Sequence, residues 1–170
     1  MSDVLANWNA APLEAAARQI LPCCGSKAWA HEMAIRRPFQ DEAALRTISD
    51  DVWRGLSASD WMEAFNSHPR IGESSGPSPS AERSAAWARQ EQEKVADAAD
   101  ALKIALAEGN REYERRFGRI FIVCAMGKSA AELLQILERR LQNDAETELH
   151  EAAEQQRQIT EIRLRKWIHE

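Results

Sequence analysis

Three side chains have types and settings suited to acid–base chemistry on an anionic small molecule: His68, Glu91 and Arg163. His68 stands in Asn66-Ser67-His68-Pro69-Arg70-Ile71-Gly72. A proline disfavours helical backbone at the residue before it, so the preceding helix must end near Ser67. The imidazole then sits at a helix-to-loop junction, where functional residues gather. With an ordinary pKa near 6.5 it is suited to proton transfer at neutral pH. A helix cap or a plain hydrogen-bond partner would explain the same placement. Of the other histidines, His150 and His169 read as solvated helix positions and His31 sits in a helix beside Glu32.

Glu91 and Arg163 stand out because each falls on an apolar face. At about 100° per residue, Glu91 lies in the arc formed by Trp87, Ala88, Val95, Ala98, Leu102 and Ala105. On the last helix, Arg163 and Gln156 fall among Leu149, Ala152, Ala153, Ile159, Leu164 and Trp167. A carboxylate aimed at a core must be paired, protonated or functional. An inward guanidinium needs a carboxylate partner or an anionic ligand. A direct buried Glu91–Arg163 bridge satisfies both conditions, and so does a pocket that both line.

Sharper motifs are absent. Gly127-Lys128-Ser129 has the end of a phosphate loop, but the glycine that loop needs at 122 is Ile122. No HExxH and no Cys/His quartet point to zinc, and no GxSxG or GxGxxG occurs. One His, one Glu and one Arg, with no metal, suit cofactor-free proton transfer.

The elements that must position these residues read as helices. Pro12 to Leu21 is the first, expected to stop at Pro22. Ser26 to Arg36 and Asp41 to Leu56 follow, and Ser59-Asp60 opens a fourth. Residues 73–80 are too rich in Gly, Pro and Ser for regular structure and form a candidate lid. A long helix is expected from about Ala81 to Glu108, ending at Gly109-Asn110, with Arg111 to Phe117 beyond it. Ile120 to Ala125 is the one strand-like apolar run. Ser129-Ala130-Ala131-Glu132 is a capping box opening a helix to Gln142, and the last helix runs from about Ala145 to Ile168.

Composition agrees. The chain has 170 residues with 29 Ala against 4 Val and 3 Thr, a bias towards helix. We expect one all-α domain over residues 1–170, a bundle of about seven to nine helices with one short extended segment near 120–126. A net charge of -5 disfavours nucleic acid and anionic membrane as partners, and no run approaches the ~20 apolar residues of a membrane span. Three cysteines without a CxxC, and no basic or apolar leader at Met1 to Asn9, suggest reduced thiols and a cytoplasmic protein.

Phe65-Asn66-Ser67-His68-Pro69-Arg70-Ile71-Gly72 closely resembles the signature of the 2-oxo-4-hydroxy-4-carboxy-5-ureidoimidazoline (OHCU) decarboxylases. Trp87-Ala88-Arg89-Gln90-Glu91-Gln92 is similar to the family's Glu-Gln motif. Phe121 to Ser129 is similar to its extended segment and helix start. Asn143-Asp144 through Gln156-Arg157 to Ile162-Arg163-Leu164 is similar to its last helix, and Trp29 and Arg37-Pro38-Phe39 also agree. The resemblance covers the whole chain.

It implies an all-α, cofactor-free, generally dimeric enzyme that decarboxylates a small-molecule substrate to (S)-allantoin in urate degradation. It implies that His68 is the acid/base, that Glu91 orients it or the substrate's NH groups, and that Arg163 binds substrate. Pro69, Ser84, Ala88, Gln92 and the segment Ile122, Val123, Cys124, Ala125 and Met126 are the implied substrate contacts. Two positions depart from the pattern. Ala88 replaces a serine that the family often has, with Ser84 one turn earlier as a substitute, and Met126 replaces a basic residue. The alternatives are an all-α interaction module without catalysis, and a decarboxylase of a related ureido acid.

Overall fold

A computed structural model describes residues 2–72, 79–96 and 98–170, with backbone alone at 79–81, 94 and 96. Most of the proposed lid at 73–80 therefore lies outside the described residues. The described residues are all-helical, with ten helical segments of which the seventh is a single turn. None of these helices is long and apolar enough to cross a membrane. The chain divides into two compact units, Met1–Ala64 with Arg157–Glu170, and Phe65–Gln156.

The first unit holds α1 (Asp3–Ala10), α2 (Leu13–Cys24), α3 (Lys27–Ile35), α4 (Glu42–Arg54), nearly all of α5 (Ala58–Phe65) and the end of α10 (Ala145–Ile168). Side-chain oxygens of Ser2, Ser26 and Asp41 accept from Leu5, Trp29 and Ala44 N–H and start α1, α3 and α4. α1 precedes the first helix that the sequence suggests. Arg37 ties it down by donating to the carbonyls of Trp8, Asn9 and Ala11 at its C-terminal end, where helical carbonyls lack partners. Trp8 stacks on Phe39 and meets Trp167 edge-on. The Arg37-Pro38-Phe39 run is thus a structural fastener.

α2 does not stop at Pro22. It continues to Cys24 and ends at Gly25, whose φ of 89° is left-handed and whose N–H bonds back to Leu21. Proline removes one helical N–H, but the following residues still close the turn, and the glycine ends the helix. Cys24 is buried beside Ser26 and Thr160, and burial pushes its thiol up to about 12.

The second unit holds α6 (Pro79–Glu91), the turn α7 (Glu93–Ala96), α8 (Asp100–Phe117), α9 (Ala130–Arg140) and the first part of α10. Its core gathers Ile71, Val95, Leu106, Tyr113, Phe121, Val123, Leu133 and Leu137. The long helix expected over 81–108 is interrupted after Glu91 and again before Asp100, while α8 runs straight through Gly109. A Cβ at 109 would lie 2.5 Å from Cδ2 of Leu137 on α9. Gly109 therefore marks a close helix–helix approach, a cause that no local pattern carries. At the interruption, the Gln92 side chain accepts the N–H of Gly72, and Val95 just beyond it is buried in the core. The capping box is present: Ser129 Oγ accepts from Glu132 N–H and Glu132 Oε2 from Ser129 N–H.

Candidate active site

The Phe65–Gly72 run is anchored at several points. Phe65 and Ile71 are buried, and His68 N–H bonds to the Phe65 carbonyl at the end of α5. The buried amide of Asn110 on α8 donates to the Ile71 carbonyl at 3.1 Å. Arg70 makes a two-pronged contact with Glu114, at 2.5 and 3.0 Å. Gly72 has φ +87°, a conformation that side-chain-bearing residues adopt at a cost, and its N–H donates to Gln92 Oε1 at 3.0 Å. The His-Pro-Arg-Ile-Gly run is therefore a rigid turn whose non-histidine residues are largely explained by anchoring.

His68 is half-buried, while His31, His150 and His169 are exposed. Its Nε2 lies 2.6 Å from Oε1 of Gln156 on α10, and Gln156 is fully buried. Pro69 is half-buried beside it. On α6, Ser84 and Glu91 are half-buried and Ala88 is buried. The apolar arc expected around Glu91 does not form on one helix: Glu91 is the last residue of α6, and Val95, Ala98, Leu102 and Ala105 lie beyond the break.

The segment Phe121, Ile122, Val123, Cys124 and Ala125 is buried throughout, and Met126 is 38% exposed. It forms neither helix nor strand, so its backbone polar groups need other partners. Arg140 donates to the Ile122 carbonyl at 2.6 Å, Lys128 Nζ to the Cys124 carbonyl at 2.6 Å, and Cys124 N–H to Gln155 Oε1 at 2.9 Å. Arg140 is itself held by Glu148, at 2.9 and 2.5 Å, and both are fully buried. Tyr113 Oη also donates to Glu148, at 2.5 Å. Burial, helped by that carboxylate, pushes the Tyr113 phenol above its ordinary range. The sequence reading missed Arg140, Glu148 and Gln155. Gln156 was visible as a polar residue on the apolar face of the last helix.

In the first unit, Arg163 is fully buried, as its place on the wheel requires. One Nη reaches 3.5 Å from the Pro22 carbonyl. Among the described residues, no group of three or more His, Cys, Asp or Glu could hold a metal ion.

A model of the OHCU decarboxylase family matches residues 9–165. The chain is 35% identical over 144 residues to the uric acid degradation bifunctional protein TTL of Arabidopsis thaliana, a match covering 85% of this chain and 44% of that protein. It thus spans less than half the length of that relative. A crystal structure of an OHCU decarboxylase in the presence of (S)-allantoin is similar with a TM-score of 0.77 and 33% identity, over 90% of this chain and 99% of that one. A crystal structure of (S)-allantoin synthase shares the fold, with a TM-score of 0.71 at 17% identity over 96% of this chain and 53% of that one. A match over most of the chain sets aside the reading as an interaction module without catalysis, and the chain belongs to the OHCU decarboxylase family of decarboxylating lyases.

Proposed function

We propose that this chain decarboxylates OHCU to (S)-allantoin without a cofactor, as one functional domain over residues 1–170, acting as a homodimer in the cytoplasm. The observation that carries the reading is the family match across residues 9–165, supported by an anchored turn that presents His68. In the substrate, the carbon that bears the carboxylate also bears a hydroxyl and adjoins a ring C=N. When the C–CO2 bond breaks, its electron pair flows into that C=N, so orientation and charge stabilisation suffice. A proton must then reach one face of the ring, which sets the S configuration. We assign that transfer to His68. Glu91 serves as acceptor for substrate NH groups, and Arg163 as partner of the substrate's anion or carbonyl. Pro69, Ser84, Ala88, Gln92 and residues 122–126 are the proposed substrate contacts, with the backbone of that buried segment meeting the ureido arm.

The test is circular dichroism of allantoin formed from freshly generated substrate, with and without the protein. The substrate also decarboxylates spontaneously to a racemate, so optical activity is the decisive signal. The expected result is an enzyme-dependent S signal. A racemic product formed at the uncatalysed rate would overturn the proposal. Sedimentation of the purified protein tests the dimer.

A further inference from the structure

His68 meets the side-chain oxygen of a buried glutamine. The carbonyl oxygen of a glutamine side chain accepts hydrogen bonds and never donates them. With Gln156 Oε1 at 2.6 Å from Nε2, the proton of a neutral imidazole must sit on Nε2, and the lone pair on Nδ1. Gln156 is fully buried, so water is a poor substitute donor, and a buried acceptor left unmade costs free energy. The adjacent Gln155 accepts from Cys124 N–H at 2.9 Å, so the same turn of α10 is pinned to the buried segment 121–125. The preceding residues of the His68 turn are pinned in their own right through Phe65, and the following ones through Ile71 and Gly72.

We infer that Gln156 is a positioning residue that fixes the tautomer of His68, holding a proton on Nε2 and making Nδ1 the nitrogen that exchanges a proton with the substrate. The inference rests on the reading of His68 as the acid/base. In the balanced step, the C–CO2 electron pair forms a carbon–carbon double bond and the C=N pair moves to nitrogen, which takes a proton from water. Nδ1 takes the proton of the substrate's hydroxyl while the imidazolium keeps its Nε2–H on Gln156, and the Nδ1 proton is delivered to the carbon of the former C=N as the hydroxyl carbon becomes a carbonyl. A glutamine holds the ring by geometry without adding a charge. A wrong tautomer would present an N–H where the lone pair is needed, and the ring would be present but idle.

The experiment is long-range 15N–1H NMR of the intact protein at about pH 9, well above an ordinary imidazole pKa of about 6.5. With four histidines, the His68 signals are assigned by their loss in His68→Asn. The wild type is expected to show a pyrrole-like Nε2 and a pyridine-like Nδ1. Gln156→Leu should give a mixed tautomer and a kcat lower by roughly tenfold or more, with KM changed by less than about threefold. That loss is smaller than the roughly 10²–10⁴ expected for the imidazole itself. Gln156→Glu, which retains the acceptor, should keep the wild-type tautomer, and it provides the readout if the leucine variant does not fold. A wild-type His68 carrying its proton on Nδ1 would overturn the inference. So would a folded Gln156→Leu with unchanged tautomer and kcat, or a Gln156→Glu with switched tautomer. These outcomes are separable from failure of the underlying reading, which shows itself as near wild-type turnover in His68→Asn.

Discussion

Gln92 Oε1 accepts the N–H of Gly72 at 3.0 Å, joining the residue after Glu91 to the last glycine of the His-Pro-Arg-Ile-Gly turn. Two motifs separated in sequence are thereby one structural object. Gln92→Leu is expected to remove about 1 kcal/mol, the usual net worth of one hydrogen bond, and to lower Tm by about 2–4 °C. Gly72→Ala meets no atom within 4 Å at the new Cβ, so its whole cost is the left-handed backbone, roughly 1–2 kcal/mol. Thermal melts of both variants check this. A Gly72→Ala protein as stable as the wild type would show that the positive φ is not held in solution.

His68→Asn should keep the fold, because the turn is anchored by Phe65, Ile71 and Gly72 rather than by the ring. Turnover should fall roughly 10²- to 10⁴-fold, with substrate binding weakened far less. Steady-state kinetics on freshly generated substrate decide the matter, and near wild-type turnover would remove His68 from the mechanism.

Arg140 and Glu148 form a fully buried ion pair that carries the Ile122 carbonyl and the Tyr113 hydroxyl with it. Arg140→Met leaves a carboxylate buried without its cation, a change that typically costs 3–5 kcal/mol. Replacing both charges by apolar residues should be much milder, since the desolvation of both ions is then avoided. Urea denaturation of the single and double variants measures the difference. Equal destabilisation by the two would mean that the pair's hydrogen bonds, not its charges, hold the segment.

Acid should weaken the protein in a defined window. Burial pushes the Glu161 carboxyl up, but Arg46, Arg165 and Arg157 outweigh it and leave it below the ordinary 4.5. Glu151 is treated likewise: burial raises it, and Arg139, Arg140 and Asn143 bring it below 4.5. A carboxyl whose folded pKa is depressed contributes stability that is fully present above its unfolded pKa and is lost as pH falls through the folded value. Tm should therefore be insensitive to these groups near neutrality and begin to fall below about pH 4.5. Glu161→Gln should flatten that fall. An acid limb with the same slope in Glu161→Gln would remove Glu161 as a contributor.

What could be read in the sequence alone is what local physics controls. Helix starts at Ser26, Asp41 and Ser129 follow from short side chains reaching N–H groups three residues on. The inward faces of the last helix follow from a 3.6-residue period, and Ala153, Gln156, Ile159, Arg163, Leu164 and Trp167 are all buried there. The family signature placed His68 in a turn for the same local reason, a proline behind it. Other features depended on residues distant in sequence. Gly109 stands inside a helix because Leu137 occupies the space its side chain would need. The helical path breaks near Gln92, whose side chain accepts the N–H of Gly72 from a distant part of the chain. Arg140 faces Glu148, and Gln156 faces His68, only once the chain between them has folded. Burial sets how much each of those pairings is worth, and burial is a property of the packed tertiary structure, which no local stretch of sequence carries.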